Sequence, residues 1–119
     1  VMTATGLDDE SMEAAIGSAR NQIAFYASTP AYLPVLECHG WEALQPEALQ
    51  LTREGKWVEL ANLVDDDMLH TFAVVGSPAE VATKLVERYT GKADRISPVV
   101  YQPDLKLLAA LRSELTAAL

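Results

Sequence analysis

The chain alternates between stretches whose apolar residues recur every three or four positions and short apolar runs bounded by glycine or proline. The clearest element lies between Phe72 and Tyr101. There Ser77 stands as N-cap, Pro78 takes the first helical position where a missing N–H costs nothing, and Glu80 sits where its carboxylate can answer the Ser77 N–H. Val81, Leu85 and Val86 supply the apolar stripe, Ala82 and Tyr89 flank it, and Gly91 follows as a residue that closes helices. The spacing predicts a helix from Pro78 to about Tyr89, then a strand opening at Ile96. Pro98 interrupts that strand, so Ile96 to Tyr101 reads as an edge strand or one paired over half its length.

Upstream, VMTATG reads as the tail of a strand running into a glycine turn, so the chain is expected to be a piece of something longer. Asp8 or Asp9 then caps a helix with Glu10 and Glu13 in its first turn. Met12, Ile16, Ala19, Ile23 and Tyr26 form a continuous apolar seam along it, while Phe25 lies off the seam and needs a second burial partner or a pocket. Pro34 lacks the N–H for the Pro30 carbonyl, so a break is expected around Ala31 to Leu33, followed by a short helix from Pro34 to His39 stopped by Gly40. Pro46 opens a helix that Gly55 ends. Trp57, Leu60, Ala61 and Val64 mark a two-turn helix. One of Asp65, Asp66 and Asp67 caps the next, which carries Met68, Leu69 and Phe72. Phe72 to Val75 fits a helix end or a strand, and is read as a helix end with Val74 to Gly76 extended. Pro103 and Asp104 open a last helix with Leu108, Leu111, Leu115 and Ala118 as its buried stripe. Six or seven helical pieces stand against one or two short strands: an α/β chain, mostly helical.

Composition narrows the partners. Seventeen acidic against nine basic residues give a net charge of −8, which disfavours nucleic acid and anionic membrane surfaces. The single cysteine, Cys38, forms no intramolecular disulfide, and neither a secretory leader nor a membrane-length apolar run is present. The expected location is the cytoplasm.

Candidate chemistry is sparse. Cys38 and His39 suggest a nucleophile and its base, but neighbours on a helix project about 100° apart, and the favoured reading is a buried structural cysteine. The Asp65 to Asp67 run lacks the alternate spacing and glycine turn of an oxygen-donor cation loop, so it reads as a helix cap and a solvated acidic turn. Glu37 with His39, and Asp67 with His70, lack metal-ligand spacing, so no metal is expected. No phosphate-cradling glycine loop, nucleophile elbow or CxxC occurs, and no catalytic residue is assigned. Phe25, Tyr26, Tyr32, His39 and Trp41 form the candidate substrate-binding set: singly each reads as part of an aromatic cluster under a loop, but together they gather on irregular backbone as a ligand wall.

The runs RNQIAFYASTPAYLPVLECHGW, WVELANLVDDDMLHTFAVVGSPAEVATKLVERY and ADRISPVVY closely resemble the C-terminal third of luciferase-like monooxygenases, nearest the branch that uses the deazaflavin coenzyme F-420. The resemblance covers nearly the whole chain and implies the C-terminal portion of a TIM (β/α)8 barrel, with VMT ending the seventh strand, Asp9 to Ala27 the helix after it, and Ile96 to Val100 the eighth strand. It places the aromatic corner among the βα loops where substrate and cofactor ring meet. It further implies coenzyme F-420 or FMN in the full-length protein. None is expected on this portion alone, because the strands carrying most cofactor phosphate contacts lie upstream. A small-molecule substrate and self-association through exposed apolar seams are the expected partnerships. The second reading is a small helical ligand-binding or protein-interaction domain.

Overall fold

The computed structural model describes residues 1–119. In chain order the elements are β1 (Met2–Ala4), α1 (Asp9–Ser28), a 3-10 turn (Pro30–Tyr32), α2 (Leu33–Glu37), α3 (Leu44–Arg53), α4 (Trp57–Asn62), α5 (Asp66–Phe72), β2 (Ala73–Val75), α6 (Pro78–Tyr89), β3 (Val99–Val100) and α7 (Leu105–Ala118). They form two compact units, Val1–Ala19 with His70–Leu119, and Arg20–Leu69.

The first unit is built on a parallel sheet of order β2-β1-β3. Met2, Thr3 and Ala4 face Ala73, Val74 and Val75 on one side, and Met2 and Thr3 face Val99 and Val100 on the other. Three strands replace the expected one or two. The Phe72 to Val75 run divides: Phe72 closes α5, and Ala73, not Val74, begins the strand. All three β2 residues are buried, as the continuous apolar run of a parallel strand requires. The Ile96 to Tyr101 strand shrinks to Val99 and Val100, because Pro98 offers no N–H to the ladder and pairing starts after it, with the Val99 N–H donating to the Val1 carbonyl at 2.7 Å. β3 lies beside β1 although β2 precedes it in the chain, so strand order does not follow sequence order.

The capped helix forms as its sequence dictates. The Ser77 hydroxyl accepts from the Glu80 N–H at 3.3 Å, and a Glu80 carboxylate oxygen accepts from the Ser77 N–H at 2.8 Å. These hydrogen bonds hold the Glu80 carboxyl below its ordinary pKa, the backbone donor contributing most. Gly76 has φ 154°, and a Cβ there would come within 2.8 Å of the Glu80 side chain, so the turn into the helix has no room for one. Val81 and Leu85 on α6 bury completely with Val74 and Leu111, and Ile96, Val100 and Leu115 pack around them. On α7, capped by Asp104 accepting from the Leu107 N–H at 2.8 Å, the buried stripe runs through Leu107 and Leu111. The expected Leu108 and Ala118 are exposed, and Leu107 is buried in place of Leu108.

The second unit is all helical. Ile23, Ala24 and Ala27 of α1, Leu36, Ala48, Leu60, Val64, Met68 and Leu69 supply its buried side chains. Arg20 donates to the Val64 carbonyl and to the Asp66 carboxylate, tying α1 to the turn before α5. That turn is capped by Asp65, which accepts from the Met68 N–H at 2.9 Å. At the other end of the chain's first helix it is Asp8 that caps, accepting from the Ser11 N–H at 2.7 Å. Helix α3 starts at Leu44 rather than Pro46, which falls in the first turn where its missing N–H leaves no bond unmade.

Candidate functional site

The aromatic corner is produced by the way α1 ends. The Ser28 and Thr29 hydroxyls both donate to the Phe25 carbonyl, at 2.6 and 3.2 Å, and Gln45 donates to the Ser28 carbonyl at 3.2 Å. These bonds satisfy carbonyls that a helix terminus leaves open. The chain then turns through the 3-10 segment, where Pro30 starts the new turn and the Tyr32 N–H donates to the Thr29 carbonyl at 3.0 Å. Ala31 and Tyr32 belong to this turn, as the two prolines require, and α2 begins immediately at Leu33.

Tyr26 and Tyr32 meet edge to face with ring centroids 5.0 Å apart, and Phe25 meets Tyr26 edge to face at 6.2 Å. Such geometry sets the positive ring edge against the negative face. The three rings remain open to solvent, with Phe25 48% exposed, Tyr26 37% and Tyr32 44%. Tyr26 therefore leaves the seam that its spacing assigned to it. The buried residues near the end of α1 are Ile23, Ala24, Ala27 and Ser28, a face turned away from the tyrosine.

His39 and Trp41 stack at 4.8 Å with their planes 22° apart. Gly40 between them has φ 74°, the Trp41 N–H donates to the Leu36 carbonyl at 3.0 Å, and the Gly40 N–H donates to the Glu37 carbonyl at 3.2 Å. This paired closure of α2 is a Schellman motif, and it holds the two rings on one side of the turn. All five residues of the candidate set thus fall in the Arg20–Leu69 unit, three as an edge-to-face run and two as a stacked pair. Cys38 is exposed, contrary to the buried structural role expected for it. The Leu36 side chain fills the inward position of this short helix, and Cys38 faces out.

Chemically the corner presents apolar ring surface with phenol hydroxyls at its margin. No group of three or more His, Cys, Asp or Glu side chains comes together to hold a metal ion. No helix is long and apolar enough to cross a membrane. One polar atom missed by reading the sequence is the Thr5 hydroxyl, which follows β1 and is buried without a hydrogen-bond partner. Only its place after a strand that turns out to be central could have pointed to it.

A parallel sheet and a group of aromatic side chains around the end of the first helix characterise this α/β chain. The profile of the luciferase-like monooxygenase family matches residues 1–95, and the chain belongs to that family. Uncharacterised proteins of Mycobacterium tuberculosis and Mycobacterium bovis are 50% identical to it over 99 residues, which cover 83% of this chain and 29% of theirs. The chain thus spans under a third of the length of these relatives. No solved structure matches it.

Proposed function

We propose that this chain forms the substrate side of a flavin- or deazaflavin-dependent oxidoreductase site, as the C-terminal portion of a TIM barrel with coenzyme F-420 or FMN as redox partner. The observation that carries the reading is the run of Phe25, Tyr26 and Tyr32, whose rings stay more than a third exposed in a chain of this family. Ring faces of this kind fit a planar or apolar small molecule. The sequence holds no glycine-rich phosphate loop, so the cofactor's phosphate contacts are assigned to residues beyond this chain.

When bound, a cofactor of this type takes up or delivers a hydride. The residues here would act around that exchange. The rings of Phe25, Tyr26 and Tyr32 pack on the substrate and exclude water, and the tyrosine hydroxyls hydrogen-bond its polar edge. His39 and Trp41 form a second wall. A single cysteine and an acidic surface support a cytoplasmic location.

The test is steady-state kinetics on a polypeptide that joins this chain to the remaining length seen in its relatives. Phe25→Ala and Tyr32→Ala are expected to raise KM for the substrate roughly tenfold, the loss of a few contacts worth about 1.4 kcal/mol, with cofactor affinity unchanged. Unchanged KM in both variants would remove the corner from the site and favour the small interaction domain as the better reading.

A further inference from the structure

Outside the aromatic corner, the first unit carries a cleft of about 400 Å³ lined by His70, Ala73, Val74, Val75, Lys84, Glu87 and Arg88. It runs along β2 on the side away from β1, since β2 has no other neighbour in the sheet. Lys84 and Arg88 stand four residues apart on α6, so both project over the same strand edge. Lys84 Nζ donates to the Val75 carbonyl at 2.7 Å, and Arg88 Nη2 donates to the His70 carbonyl at 3.2 Å.

Both cations are held by neutral carbonyls. The ion pairs of Arg20 with Asp66 and of Lys56 with Glu54 lie elsewhere. Glu80, whose carboxylate the Lys84 charge helps to keep ionised, already accepts from the Ser77 N–H, leaving Glu87 as the one acid in the cleft wall. An ammonium and a guanidinium each carry more N–H donors than one carbonyl uses. The backbone adds a further donor. In an extended strand the C=O and N–H of one residue project to the same side, so a Val75 carbonyl turned to Lys84 brings the Val75 N–H to the cleft as well. In a chain of net charge −8, a concave site with two cations held by neutral carbonyls, a histidine and a strand N–H is a local reversal of sign.

We propose that this cleft binds a small oxyanion, the phosphate or carboxylate group of a small molecule, through Lys84, Arg88 and the Val75 N–H. Arg88 presents the planar fork suited to two oxygens of one anion, and Lys84 a compact charge on a flexible stem. Glu87 opposes the anion and sets the affinity low.

The test is a titration of the 119-residue chain with inorganic phosphate and, separately, with citrate, followed by amide chemical shifts at constant ionic strength. Saturable shifts concentrated at His70, Val75, Lys84 and Arg88 are expected, with a Kd on the order of 1 mM for an open site of this charge. Saturation by phosphate alone identifies a phosphate site, and by citrate alone a carboxylate site. Lys84→Gln and Arg88→Gln are each expected to weaken binding about tenfold, the loss of one charge-assisted contact, Lys84→Arg to retain it, and Glu87→Gln to tighten it severalfold. Shifts that rise linearly, spread over the surface, or persist unchanged in Lys84→Gln and Arg88→Gln overturn the proposal. So do concentration-dependent shifts at Ala73 to Val75 without anion, which would assign the strand edge to a second copy of the chain.

Discussion

Ser77 and Glu80 show how much two side chains decide. Each satisfies the other's backbone N–H, and together they fix the start of the helix that carries Val81 and Leu85 into the core. Ser77→Ala is expected to destabilise the chain by about 1 kcal/mol, readable as a shift in a urea midpoint at unchanged slope. Because the fold depresses the Glu80 pKa below its ordinary 4.5, its contribution is present above that value and is lost as pH falls through the folded one. The advantage of the wild type over Glu80→Ala should therefore shrink between neutral and strongly acidic pH. A gap that stays constant would show that the carboxylate contributes nothing as an anion. Thr5 is the opposite case, a buried hydroxyl with no partner. Replacing it by the similarly shaped valine removes an unmet hydrogen-bonding group, and Thr5→Val is expected to stabilise by about 1 kcal/mol in denaturant unfolding. A clear loss of stability would mean that the hydroxyl is bonded in solution.

At the scale of elements, the turns that close helices carry the corner. Gly40 adopts φ 74° in open space, with nothing within 4 Å of where a Cβ would stand, so a side chain there costs conformational energy only. Gly40→Ala should destabilise by about 1 kcal/mol and loosen the stacked His39 and Trp41 pair, seen as a change in tryptophan emission. Elements marked by a cap and a stop were legible in the sequence: Ser77 with Gly91, Asp104, and the two prolines around Ala31 all predict what forms. Rotation about a helix axis was less legible. Leu107 and Leu108 are equally apolar, and only packing against α6 selects the first of them; α6 and α7 make the most extensive helix pairing in the chain. The same ambiguity put Tyr26 on a seam and Cys38 in a core, where Ala27 and Leu36 take the inward positions instead. Short strands were least legible, because three apolar residues carry no period and β2 becomes a strand only by pairing with β1.

For the whole molecule, irregular backbone accounts for only part of the candidate set: Tyr32 lies in the 3-10 turn between the two prolines and His39 and Trp41 flank Gly40, whereas Phe25 and Tyr26 sit within the regular helix α1. Which rings would touch depended on how α1 terminates, and spacing alone does not encode that. Apolar side chains such as Trp57, Val58, Leu105 and Leu119 remain largely exposed, so the isolated chain is expected to self-associate at concentrations on the order of tens of micromolar. A monomer in light scattering would contradict this.

This chain is proposed to supply one side of a flavin-type site, with the cofactor's own contacts elsewhere in a longer polypeptide. The most direct measurement is fluorescence titration of coenzyme F-420 and of FMN with two proteins, the 119-residue chain and a polypeptide extended to the length of its relatives. Saturable binding of one cofactor by the extended protein is expected, and none by the chain alone. Stoichiometric binding by the chain alone, or binding of neither cofactor by the extended protein, would contradict the proposal.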